Sequence, residues 1–81
     1  MTQAQARGWA WVLDQVDGDH AAAAYLFARV NNMCAGYSHP TPTAAEILGA
    51  HRRMCWGLGI TTIDRAALFA RCRALGLDII A

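Results

Sequence analysis

The chain has 81 residues, a formal net charge of +1 and 56% hydrophobic residues. That length supports one hydrophobic core and no second, and the composition lies far from the low-hydrophobicity, high-charge class that stays unfolded. A charge so near zero excludes the strongly basic character that draws a chain to nucleic acid or to an anionic membrane.

All seven basic residues are arginine, and alanine is abundant. This is the bias of a GC-rich bacterial or phage genome. Arginine also suits recognition surfaces, because its guanidinium is planar and weakly hydrated. No apolar run approaches the roughly 18 residues of a membrane span, and the polar start from Met1 to Arg7 does not read as a signal peptide. A cytoplasmic location without membrane contact is the expectation. Cys34, Cys55 and Cys72 are odd in number and lack CxxC spacing, so reduced thiols are expected rather than a disulfide framework.

Taken in chain order, Thr2-Gln3-Ala4-Gln5 has the form of a capping box and opens a helix to about Val16. Trp9, Val12, Leu13 and Val16 share one face of it, Trp11 falls off that stripe, and Asp17-Gly18-Asp19 breaks it. Asp19 caps a second helix running to about Cys34, with Ala23, Leu26, Phe27, Val30 and Met33 or Cys34 as its apolar face. Pro40 and Pro42 keep the segment from Ala35 to Pro42 out of a helix. Thr43-Ala44-Ala45-Glu46 is a second capping box, opening a helix to Trp56 that carries Ile47, Leu48, His51, Met54 and Cys55 on one side. Gly57 and Gly59 end it. Thr61 or Thr62 caps a last helix that Gly76 stops, and a short apolar tail follows. The fold class predicted is all-α, a compact bundle of about four short helices forming a single domain over residues 1–81.

The last helix has two apolar sides. Ile63, Ala66, Ala67, Ala70 and Ala74 form a ridge of small side chains, whereas Leu68, Cys72 and Leu75 point elsewhere and are the predicted self-association face of a homodimer. Arg71 and Arg73 flank Cys72, charges that can favour its thiolate, and an odd exposed cysteine can pair with its copy across a dimer axis.

Several constellations touch on chemistry. Cys34, His39, His51 and Cys55 read as Cys-x4-His-x11-His-x3-Cys, in which the last pair, four residues apart on a helix, can offer two zinc ligands. The expected reading makes His51 and Cys55 part of an ordinary core stripe with no metal bound. No nucleophile elbow, paired catalytic carboxylates or Gly-rich phosphate loop stands out, so neither catalysis nor a cofactor is expected. The third and fourth helices, with Arg65, Arg71 and Arg73 on the second of them, allow a helix-turn-helix nucleic-acid regulator. Its connecting turn is long, and Arg53 stands where a small residue normally packs.

Protein recognition accounts better for Trp11 and Tyr37 together with Arg52, Arg53, Arg65, Arg71 and Arg73, the residue types enriched at interface hot spots, whereas Trp9 and even Trp56 also suit the filling of a small core. The expected function is that of a small non-enzymatic module binding another protein. It would act sterically as an inhibitor or adaptor, a class that includes phage-encoded inhibitors of bacterial defence of the anti-CRISPR type.

Overall fold

The computed structural model describes residues 3–80 and contains four helices among them: α1 (Gln3–Gln15), α2 (His20–Cys34), α3 (Ala44–Leu58) and α4 (Arg65–Ala74). The helical class and the number of helices agree with the sequence reading. Thr2 lies outside the described residues, so the capping box expected there has no structural account.

Two helix starts follow from local hydrogen bonding. Asp19 takes extended backbone angles, and its carboxylate accepts from the amides of Ala21 and Ala22 at 3.1 and 3.2 Å. Thr43 and Glu46 form the reciprocal box: the Glu46 amide donates to Thr43 Oγ1 at 3.2 Å, and the Thr43 amide donates to Glu46 Oε1 at 2.8 Å. Both caps satisfy amides that the first helical turn leaves without partners.

Two boundaries differ from the sequence reading. α3 runs through Gly57 to Leu58 and stops only at Gly59, whose φ of 66° is the left-handed conformation glycine adopts without a Cβ penalty. α4 begins at Arg65, with Asp64 at the cap position, and not at Thr61 or Thr62. The Leu68 amide donates to the Asp64 carbonyl at 2.9 Å, which sets the first helical hydrogen bond there and leaves both threonines in the exposed connector.

α2 packs most extensively on α3, and α4 is held chiefly by α2. His20 at the start of α2 meets His51 within α3, while Asn32 near its end donates to Glu46 at the start of α3, so the two helices run antiparallel. The buried residues of α2 are Ala21, Ala23, Ala24, Tyr25, Ala28 and Asn32, of which Ala23 was expected in the core. Leu26, Val30 and Met33, assigned to the core from sequence, are exposed instead. Both stripes keep a helical period; the alanine one is chosen because small side chains let helix backbones approach closely. Ile47, Ala50, His51, Met54 and Cys55 of α3 and Leu68, Phe69 and Cys72 of α4 complete the buried set.

The predicted dimer face is thereby corrected. Leu68 and Cys72 are both 0% exposed, so neither is available to a second chain, and only Leu75 of that trio reaches the surface. With Phe69 they form the buried apolar side of α4, the helix held chiefly by α2, while Ala66, Ala67, Ala70 and Ala74 face outward. Burial pushes the Cys72 thiol up, reinforced by Asp19 and only partly opposed by Arg73, which is the reverse of the thiolate expected from its flanking arginines.

Long-range ties close the chain. Arg71 Nε donates to Asp19 Oδ2 at 2.8 Å, pinning α4 to the start of α2. Burial raises the Asp19 carboxyl, but hydrogen bonds from Arg71 and from the Ala22 and Ala21 amides outweigh it and leave the pKa below the usual value. The C-terminal tail runs beside the entrance to α3, where the Ala44 amide donates to Ile80 and the Ile80 amide to Pro42, at 3.1 and 3.0 Å. The Cα radius of gyration is 11.8 Å, the roughly 12 Å of a compact chain of this length.

Glu46 accepts from both Thr43 and Asn32, and its carboxyl is held below the ordinary carboxylate range by the Thr43 amide first of all. Glu46→Ala is expected to lose about 0.5–2 kcal/mol of stability at neutral pH, the scale of a lost helix cap. A depressed folded-state pKa contributes stability above the unfolded value of about 4.3 and loses it as pH falls through the folded value. The difference between Glu46→Ala and the native chain should therefore shrink in acid, as urea unfolding at neutral pH and near pH 3 would measure.

Candidate functional site

The outward turn of the large side chains on α2 creates an apolar surface. Leu26, Val30 and Met33 recur at helical spacing on its solvent side, and from α1 Trp11, 64% exposed, stands beside them. Trp11, Val12, Leu26, Phe27 and Val30 line a cleft of about 390 Å³. A second cleft, of about 550 Å³, opens between α1, α2 and α3, lined by Gly8, Trp9, Phe27, Asn31, Arg53 and Trp56 among others. Phe27 borders both, so the two clefts adjoin.

The floor between them is firm. Trp9, buried on α1, stacks on Phe27 with ring centroids 3.3 Å apart and planes 25° apart. Trp56, in contrast, is 76% exposed at the rim. The one charged side chain among the residues lining the two clefts is Arg53. The only ion pair among the described residues joins Arg71 to Asp19, so Arg53 is paired with no carboxylate among them.

The remaining residues singled out from sequence do not converge. Tyr37 and Arg52 are exposed, Tyr37 on the loop after α2. Arg65 lies over the Phe69 ring at 5.5 Å and, with Arg73, borders another surface hollow. Arg71 is engaged by Asp19. The helix-turn-helix pairing is not formed either: α3 and α4 are separated by residues 59–64, and α4 rests on α2 rather than on α3. Sequence reasoning missed Leu26, Val30 and Met33 as surface residues; their spacing on α2 was visible, but it was read as the core face.

The four-residue zinc pattern that the sequence allows, Cys34, His39, His51 and Cys55, does not assemble. Cys34 and His39 are exposed at the end of α2 and in the loop beyond it, and the structure brings His20 to His51 and Cys55 instead. His51 Nε2 lies 3.4 Å from His20 Nδ1 and 3.4 Å from Cys55 Sγ. The Cys55 thiol also points at the Thr61 carbonyl, 3.9 Å away. Burial lowers the His51 pKa, with His20 adding to the effect, and burial raises the Cys55 thiol. A buried thiol with a raised pKa is the opposite of the exposed, activated thiolate that nucleophilic catalysis uses. His51 and Cys55 share one face of α3 through their spacing of four, whereas His20 enters only through the packing of α2 on α3, 31 residues away in sequence.

Compared with protein-family models, with curated proteins and with solved structures, the chain matches none. The described residues contain no helix long and apolar enough to cross a membrane.

The three tryptophans are predicted to separate by role. Trp9→Ala should cost about 3–5 kcal/mol, as for a buried aromatic, whereas Trp11→Ala and Trp56→Ala should each stay within about 0.5 kcal/mol of the native chain. Urea denaturation of the three variants measures this, and a large loss at Trp11 would show that it supports the fold rather than a surface.

Proposed function

We propose that the chain works as a binding module for another protein, a steric inhibitor or adaptor whose recognition surface is the pair of adjoining clefts around Phe27. The observation that carries this reading is the exposure of Trp11, Leu26, Val30 and Met33 beside Trp56 and Arg53, while the core of α2 is built from alanine. A contiguous set of large apolar side chains rimmed by an unpaired arginine has the composition of an interface centre.

The partner segment this surface fits is an amphipathic helix bearing aliphatic or aromatic anchors and a carboxylate. Grooves between helices accept a helix by side-chain interdigitation, and the isolated Thr43–Ile80 bridge leaves no strand edge here for an extended peptide to join. Arg53, alone among the charged residues of the lining, supplies the counter-charge for an acidic side chain.

Nuclease-treated lysate of a GC-rich bacterium, incubated with chain carrying a photo-crosslinking residue at position 30, would identify the partner segment. With that partner purified, Trp11→Ala is expected to weaken binding by roughly 30-fold, the factor of about 2 kcal/mol that defines a hot spot. Arg53→Glu should weaken it further at low salt than at high salt. Affinity unchanged by both substitutions would overturn the reading, as would recovery that disappears with nuclease.

A further inference from the structure

Three side chains with metal-ligating atoms meet where the first turn of α2 lies against the middle of α3. His51 is 1% exposed and Cys55 2%, whereas His20 is half-buried and connects the cluster to the surface. One ring nitrogen of each histidine and Cys55 Sγ all lie within 4.8 Å of one another. We propose that His20, His51 and Cys55 bind a zinc ion through these three atoms, with water in the fourth position.

Distance and valence both lead there. Zinc bonds of about 2.0–2.1 Å to nitrogen and 2.3 Å to sulfur, arranged tetrahedrally, separate two nitrogens by about 3.3 Å and a nitrogen from a sulfur by about 3.6 Å. The two short contacts of the cluster, both 3.4 Å, match those edges. The third edge, between His20 and Cys55, is reached by rotation of His20, a movement open to a half-buried side chain at a helix start. Hydrogen bonding alone serves the cluster poorly, because both short contacts fall on His51 Nε2. That atom has either one proton or one lone pair in the ring plane, and so it makes one well-directed bond where two neighbours compete. A cation among the three atoms uses the lone pairs of all of them.

Binding exchanges the Cys55 thiol proton for a zinc–sulfur bond, releases that proton to solvent and leaves both imidazoles neutral. The ion would tie the start of α2 to α3 in a chain too short to draw much stability from its core.

Titrating the full-length chain, stripped with chelator and kept reduced, with cobalt(II) as a zinc surrogate tests the site. The expected result is about one equivalent bound per chain, giving the visible ligand-field bands of a tetrahedral site and a thiolate-to-metal charge-transfer band, both removed by zinc. Cys55→Ser should abolish the charge-transfer band, and Cys34→Ser should leave it intact. His20→Ala, which truncates a half-buried side chain and whose fold circular dichroism would verify, should weaken zinc binding at least about ten-fold. A folded native chain without a charge-transfer band overturns the proposal. So does a band that survives Cys55→Ser or vanishes with Cys34→Ser, or a zinc affinity within about twofold of native in His20→Ala.

Discussion

The close packing of the alanine face of α2 is the constraint from which the rest of the architecture follows. Ala21, Ala23, Ala24 and Ala28, with Tyr25 and Asn32, are the residues that α2 buries in its packing against α3, α4 and α1. Side chains this small let helix backbones approach closely, and contact between them is made over many atom pairs of small individual attraction. Larger residues facing the same way would hold the helices apart, lengthening the distance that His20 spans to His51 and Asn32 to Glu46. The antiparallel register of α2 on α3 is thus fixed at both ends by polar contacts that only a small-residue interface brings within range.

The same choice has a consequence on the other side of the helix. With alanine inside, Leu26, Val30 and Met33 have no core left to enter, and α1 adds Trp11 to the face they form. Fully burying a side chain of this class contributes on the order of 1.5–3 kcal/mol. Four such groups left about half exposed therefore hold back a free energy that is a large share of the 5–15 kcal/mol by which small domains are stable. A partner that covers them gains what folding does not. The Trp9–Phe27 stack beneath the clefts is formed within the chain itself, which lowers the ordering cost of such an encounter.

Signals that act within a few residues were legible in the sequence. Asp19 and the Thr43–Glu46 box each determine a helix start by side-chain bonds to amides two or three positions on, and both were read correctly. The cap of α4 was misread because Thr61, Thr62 and Asp64 are all competent cap residues, and only the fold decides which carbonyl receives the first helical bond. The inner face of α2 was misread for a related reason. A helix with apolar residues on two sides satisfies the same periodicity twice, and hydropathy favours the larger side chains while packing favoured the smaller. On α4 the outcome is opposite, with Leu68, Phe69 and Cys72 inside and the alanines outside, so residue size alone does not predict which stripe is buried.

The polar cluster shows how far local spacing reaches. His51 and Cys55 announced themselves as a ligand pair by their separation on one helix, but completing them with Cys34 and His39 extended a sequence pattern across a proline loop whose geometry the pattern does not specify. The helix packing supplied His20 instead. A histidine and a thiol in the interior of so small a chain are costly beside aliphatic residues of similar volume, because buried polar atoms must each find a partner. Every buried side-chain nitrogen and oxygen among the described residues has one. For His51 Nε2 that satisfaction is shared between two neighbours at equal distance, and an ion that engages both at once removes the competition. The cluster lines neither cleft around Phe27, so metal binding would stabilise the α2–α3 contact without occupying the recognition surface.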